Sequence, residues 1–194
     1  MHILEAAQEI REVGAGIQIL PNSSRVLQHW GLDEQLKAHM TRPRVCNFIG
    51  WKGNLISSLD FHASEKQYPG TWYRDFHRAD LQRCLVERAL ELGTQMTCNA
   101  RIVDVAVSPD GTEATAIAAD GRQWTGDLVI GADGVFGKLT EVLLGRSDPP
   151  IKTGDLAYRL LLSTEEMRKD PELEPFVSDP QVNYWLGPDA HAGR

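Results

Sequence analysis

Apolar and polar positions alternate so as to predict a short strand over Met1 to Leu4 that ends at Glu5. A polar, charge-rich connection, Ala6 to Glu12, leads to an apolar run, Ile17 to Leu20. Pro21-Asn22 opens a helix that Asn22 or Ser23 can cap, with Val26, Leu27 and Trp30 on one apolar face and Gly31 as its stop. A second short helix follows, with Asp33 as cap and Leu36 and Met40 turned inward. Two β-rich runs, Val45 to Trp51 and Leu55 to Phe61, flank Lys52-Gly53-Asn54 and predict a hairpin. The clearest helix spans Ala79 to Leu92, where Leu81, Cys84, Leu85, Ala89 and Leu92 recur at helical spacing before Gly93. Beyond it the pattern is a meander: Met96 to Val107, a Pro109-Asp110-Gly111 turn, Ala114 to Ala119, an Asp120-Gly121 turn, then Gln123 to Thr125.

That meander feeds Leu128-Val129-Ile130, a continuous apolar run expected to be a central strand covered on both faces. Lys138 to Leu144 predicts a short helix, and Pro149-Pro150 marks a composition break. After the break come an apolar run from Ala157 to Leu162 interrupted by Arg159, a charged helical or loop segment from Thr164 to Glu174, and a strand from Val182 to Leu186.

Composition narrows the partners. With 42% hydrophobic and 24% charged residues in 194, the chain is of globular type, and a formal net charge of −7 gives no electrostatic reason to expect nucleic acid. No run approaches a membrane span, and Met1-His2-Ile3-Leu4-Glu5 lacks a signal-peptide pattern, so a cytoplasmic protein is expected. Cys46, Cys84 and Cys98 are far apart and without a histidine cluster at metal-ligand spacing, which predicts reduced core residues and no metal site.

The candidate chemistry gathers at strand ends. Asp127 to Gly134 is an apolar strand running into Gly131-Ala132-Asp133-Gly134, where glycines let backbone approach a ligand and Asp133 supplies a carboxylate; taken alone, the same residues also suit an ordinary tight turn. Glu5 stands at a strand end where an acid can accept hydrogen bonds from a ribose, or simply be solvated. Tyr68, Trp72, Tyr73, Phe76 and His77 crowd one segment with Arg74 and Arg78, suited either to lining a pocket or to covering the core. Arg78 also precedes a helix N-terminus, a place that favours anionic groups.

Ile3-Leu4-Glu5-Ala6-Ala7, Arg11-Glu12-Val13-Gly14-Ala15-Gly16-Ile17-Gln18, Pro21-Asn22, His77-Arg78-Ala79-Asp80-Leu81 and Asp127 to Gly134 occur in the order found in one family. In this the sequence resembles the single-component FAD-dependent aromatic hydroxylases, in particular the salicylate-hydroxylase-like branch. The resemblance implies a mixed α/β fold: a partial FAD-binding Rossmann-like sheet with a β-meander over residues 1–148, carrying a substrate-domain hairpin at about 43–76, and the start of a β-sheet substrate domain over 149–194. It implies that Glu5 binds ribose, that Gly16 borders the flavin, that Arg78 contacts the ribityl or ring region, and that Asp133 and Gly134 form a second flavin motif. Arg159 would anchor a phenolate or carboxylate, or stand as an ordinary strand-edge arginine. The implied activity is NAD(P)H-dependent hydroxylation of a phenolic or aromatic acid by way of a flavin hydroperoxide, with a small aromatic molecule as partner and no nucleic acid or membrane.

The chain departs from that family in three respects. No G-x-G-x-x-G occurs in it, so FAD is expected to bind weakly. Gly137 and Thr140 stand where the family has Ser and Arg after Asp-Gly, and a later Gly-Asp motif is absent. The chain is therefore expected to be truncated at both ends, which leaves a non-catalytic homologue, or a residual nucleotide or aromatic binding module, as alternatives to an enzyme segment.

Overall fold

The computed structural model describes residues 1–10 and 15–193. In chain order the elements are β1 (His2–Leu4), β2 (Gly16–Ile19), α1 (Pro21–His29), α2 (Asp33–Lys37), β3 (Met40–Thr41), β4 (Val45–Gly50), β5 (Leu55–Asp60), α3 (Phe61–Gln67), β6 (Arg74–His77) and α4 (Arg78–Glu91). They continue with β7 (Gln95–Thr97), β8 (Ile102–Val107), β9 (Ala114–Ala118), β10 (Gln123–Gly126), α5 (Leu139–Leu144), α6 (Thr164–Met167), α7 (Pro175–Ser178), β11 (Val182–Leu186) and β12 (His191–Gly193). The class is mixed α/β, as expected. The chain forms two compact units, Met1–Arg11 with Ala89–Tyr158, and Glu12–Arg88 with Arg159–Arg194.

In the first unit β1 pairs in parallel with β7, placing Ile3 beside Met96. The meander forms a three-stranded antiparallel sheet of order β10-β9-β8, and its core is small, with Ala100, Ala116 and Ala118 buried. Both tight turns hold a glycine at positive φ, Gly111 at 71° and Gly121 at 88°, conformations that a Cβ would strain. The single strand expected over Met96 to Val107 is two strands, broken where Asn99 takes φ 52°.

The expected central strand is the main correction. Leu128 to Ile130 belongs to no strand, and Leu128 and Ile130 are 74% and 75% exposed. A strand exists only through the ladder it shares, and no described strand pairs with this one. The apolar run records a demand for burial; it does not provide the neighbour that would satisfy it.

The second unit has two sheets. β2-β6-β3 is antiparallel, and β12-β11-β4-β5 contains a parallel β11/β4 pair in which Tyr184 stands beside Phe48. The β4–β5 hairpin follows the predicted pattern, with Gly53 at φ 81° in its turn. Its junction with β11 is polar: Asn47 Nδ2 donates to Asn183 Oδ1 at 2.8 Å, and Arg44 donates twice to the Asp179 carboxylate, at 3.1 and 3.3 Å. One apolar core, including Ile19, Leu27, Leu36, Phe76 and Cys84, packs around α1, α2 and α4; a second joins Cys46, Phe61, Tyr73 and Val182.

Three local expectations are corrected here. In α1 the inward residues are Ser24 and Leu27, while Trp30 is 47% exposed. The reason is that the buried Ser24 hydroxyl donates to Pro21 O at 2.8 Å and accepts from Trp72 N at 3.2 Å, which turns that face of the helix toward the aromatic segment. Phe61 opens a helix, α3, because Asp60 accepts hydrogen bonds from His62 N at 2.8 Å and Ala63 N at 3.0 Å and so caps it. Cys46 and Cys84 are buried and reduced, whereas Cys98 is only half-buried.

Candidate functional site

Glu5 lies in the first unit, directly after β1. Its main chain is built into the fold, with Glu5 N donating to Thr97 O at 2.9 Å and Ala100 N donating to Glu5 O at 2.8 Å. Its half-buried carboxylate accepts a hydrogen bond from Ala7 N through Oε1 at 2.7 Å. This is a carboxylate fixed at the C-terminal end of a parallel strand, a place from which acids meet hydroxyl groups.

Asp133 and Gly134 also lie in the first unit, and both are exposed. Gly134 takes φ 77° and its carbonyl accepts from Gly137 N at 3.0 Å, closing a turn. Asp133 Oδ2 then accepts from Leu139 N at 3.0 Å, so the carboxylate caps α5. A Cβ on Gly137 would lie 2.2 Å from the Asp133 Cγ, so the glycine found where the family has Ser matches the position this carboxylate takes.

In the second unit Gly16 begins β2 opposite His77 of β6, and Arg78 N donates to Ala15 O at 3.0 Å. The main chains of Gly16 and Arg78 are thus brought side by side, with an exposed guanidinium on the first residue of a 14-residue helix. Arg11 to Gly14, part of the same motif, lie outside the described residues. Arg159 is exposed, in no regular element, and does not line the cleft of this unit.

That cleft, about 210 Å³, is lined by the rings of Phe48, Phe61, Tyr73 and Tyr184, with Gln18 and Glu65 among its polar groups. Phe48 and Tyr184 stack at 5.6 Å between centroids on one face of the four-stranded sheet, and Phe61 stacks on Tyr73 at 3.9 Å. Burial pushes Glu65 up, but the hydrogen bonds and charges of Arg74 and Arg42 outweigh it and hold the carboxylate below its usual range. Arg42 Nη2 reaches Glu65 Oε2 at 2.8 Å, while Arg74, itself buried, pairs with Oε1 and donates to Tyr73 O at 2.6 Å.

The Asp75 charge acts on the Tyr73 hydroxyl, whose ring lines the cleft. Burial, then the Asp75 charge and hydrogen bond, raise the Tyr73 pKa far above that of a free phenol. Burial also raises Asp75, opposed by the hydrogen bond from Tyr73, and Asp75 Oδ1 is buried without a hydrogen-bond partner among the described residues. Burial and the Asp75 charge push the Cys46 thiol up as well. Tyr184 Oη donates to Gln18 Oε1 at 3.4 Å.

The sequence flags Tyr73 through its aromatic segment but gives no sign of Asp75, Glu65, Gln18 or Tyr184 as its companions. Gln18 and Tyr184 meet across 166 positions, from strands of two different sheets.

Residues 2–187 match the profile of the FAD binding domain family. The chain is 38% identical over 196 residues to FAD-dependent monooxygenase OpS4 of Beauveria bassiana, covering 98% of this chain and 44% of that protein. It is 32% identical to 3-hydroxybenzoate 6-hydroxylase 1 of Aquipseudomonas alcaligenes, with 87% of this chain and 42% of that protein covered. With 3-amino-4-hydroxybenzoate 2-monooxygenase of Streptomyces cremeus it shares 34% identity, covering 97% and 45%. Among solved structures, Klebsiella pneumoniae HpxO, complexed with FAD and uric acid, superposes with a TM-score of 0.73 at 18% identity, over 98% of this chain and 45% of that one. FqzB also gives 0.73, at 21% identity, over 99% and 43%. These two likenesses bear on the fold alone. The chain spans under half the length of the relatives it matches.

Proposed function

Because the chain belongs to the FAD binding domain family, we propose that it is a segment of an FAD- and NAD(P)H-dependent monooxygenase that hydroxylates a phenolic or aromatic acid substrate. The observation that carries this reading beyond the family is the cleft of the second unit, whose four rings suit a planar aromatic molecule. Bound FAD would supply the oxygen-activating chemistry. Glu5, a half-buried carboxylate at a strand end, fits ribose hydroxyls, and Arg78, exposed at a helix start beside Gly16, fits the ribityl or ring region. Asp133 and Gly134 form the second flavin motif in this reading, with Asp133 holding its turn against α5. Arg159 is the substrate anchor in this reading, although it stands exposed and outside the cleft lining. The division into a flavin-binding part over 1–148 and a substrate part over 149–194, and a cytoplasmic location, belong to the same proposal.

A second reading, a non-catalytic homologue, is favoured by the apolar run before the second flavin motif, where Leu128 and Ile130 are exposed and join no ladder among the described residues. Oxidation of NADH and NADPH by the purified chain with added FAD distinguishes the two. Stimulation by phenolic acids, with hydroxylated product, is the result expected of a hydroxylase; no stimulation by any aromatic compound contradicts it and leaves the non-catalytic reading.

A further inference from the structure

Asn47 is a polar side chain that reaches both neighbouring strands at once. Cys46 and Phe48 of β4, Leu59 of β5, and Val182 and Tyr184 of β11 line the cleft, so alternation puts Asn47, Ser58 and Asn183 together on the opposite face of the sheet. There the Ser58 hydroxyl donates to Asn47 Oδ1 at 2.7 Å, and Asn47 Nδ2 donates to Asn183 Oδ1 at 2.8 Å and to Gln181 Oε1 at 3.2 Å. Asn183 is 4% exposed. One amide therefore joins β5, β4 and β11.

The register of β11 on β4 has little else to set it. The two strands are parallel, and Asn47 and Asn183 lie 136 positions apart, so no tight turn fixes their alignment. A slip by one residue would turn Val182 and Tyr184 to the other face, which burial opposes. A slip by two keeps every face: Tyr184 moves beside Cys46, Leu186 beside Phe48 and Trp185 beside Asn47. Because Val182-Asn183-Tyr184-Trp185-Leu186 is otherwise apolar or aromatic, burial hardly separates the two alignments. Hydrogen bonding does separate them, since the slipped strand sets an indole against Asn47 and puts the buried Asn183 amide beside Val45. The Arg44–Asp179 ion pair also ties these strands, but its side chains are 52% and 49% exposed, where such a pair contributes little.

We propose that Asn47 and Asn183 are positioning residues for the aromatic cleft, which select the β11 register that sets Tyr184 against Phe48. The proposal deepens the hydroxylase reading and rests on it only for the statement that the cleft receives substrate. Both amides lie on the far face and act through Tyr184, which stacks on Phe48 at 5.6 Å and reaches Gln18 Oε1 at 3.4 Å. In the slipped alignment Leu186 takes that place, and the cleft loses a ring and a hydroxyl.

Thiol cross-linking reads the register. Cys46 is the reporter on β4, and Val182→Cys or Tyr184→Cys places a second thiol on β11; a short bis-methanethiosulfonate linker joins thiols that stand side by side, and peptide mass mapping identifies the bridge. With the amide pair intact, Val182→Cys should cross-link to Cys46 and Tyr184→Cys should not. In the background of Asn47→Leu with Asn183→Leu both should cross-link in comparable yield. Thermal melts should show that double leucine variant no less stable than either single one, because neither amide is then left unpaired. Asn47→Asp, which still accepts from Ser58 and from a turned Asn183 amide, should keep the single register. A purely structural pair would instead lower the melting temperature further in the double variant and leave Val182→Cys as the one position that cross-links. That result, a double variant that does not fold, or cross-linking of Tyr184→Cys with the amides intact or in Asn47→Asp, would overturn the proposal. No ligand, flavin or turnover enters the measurement, so its failure leaves the hydroxylase reading standing, and a failed turnover assay leaves a measured register standing.

Discussion

Asp75 is held half-buried in β6, with Oδ1 buried and without a hydrogen-bond partner among the described residues. Burial raises its pKa, against the lowering by the Tyr73 hydrogen bond, so the ionised form is the disfavoured one in the folded state. The stability contributed by this group is present in full below the ordinary carboxylate pKa of about 4 and is lost as pH rises through the higher folded-state value. Asp75→Asn removes that titration while keeping the shape of the side chain. Its melting temperature should equal or exceed that of the parent chain at neutral pH, and the gap should close or reverse on acidification. A constant gap across the pH range would contradict the assignment of the burial penalty to Asp75.

Gly137 offers a second test at this scale. A side chain there meets the Asp133 carboxylate, so Gly137→Ser should push Asp133 off the Leu139 amide and cost about 1 kcal/mol, the usual value of a helix cap. Asp133→Ala should cost the same, and the double substitution no more than either, because both act through one hydrogen bond. Additive losses in thermal melts would show that the two residues act separately. The glycine here was visible in the sequence only as a departure from the family pattern; the carboxylate that stands in the way of a side chain was not, since nothing local says where Asp133 points.

Among the elements, the helix after β5 shows how one side chain redirects the chain. Asp60 caps α3 through two amides, and the hydrogen bond from Ala63 N does most to hold its pKa below the ordinary range, with burial opposing and His62 assisting. A depressed pKa means stability present at neutral pH and lost as pH falls through the folded-state value. Asp60→Ala should therefore lower the melting temperature at pH 7 and should have little effect in acid; an equal effect at both would argue against the cap. Periodicity recovered β4, β5, the long helix and the meander, because each needs only its own pattern and a turn. It failed at Leu128 to Ile130, where an apolar run states what it requires but not what will cover it.

For the whole molecule, that uncovered surface is the main physical consequence. Leu128, Ile130, Leu156 and Tyr158 are all at least 74% exposed, with Leu156 at 99%, a quantity of apolar surface that favours association. Sedimentation velocity should show mass increasing with concentration, and Leu156→Lys with Leu160→Lys should reduce it; a concentration-independent monomer would mean that these residues find cover in solution. The family, the mixed fold and the order of the flavin-associated segments could all be read from the chain, because short motifs keep their order whatever surrounds them. The aromatic cleft could not, since its walls come from β2, β4, β5, α3 and β11, whose meeting depends on long-range pairing.

The central claim, that this chain retains part of an FAD site, is tested most directly by titrating FAD into it and following the quenching of flavin fluorescence. Weak but saturable binding is predicted, with no stoichiometric flavin carried through purification, and roughly tenfold losses of affinity in Glu5→Ala and in Arg78→Ala, each removing a charge-assisted contact. Absence of saturable binding, or binding that neither substitution alters, would contradict it.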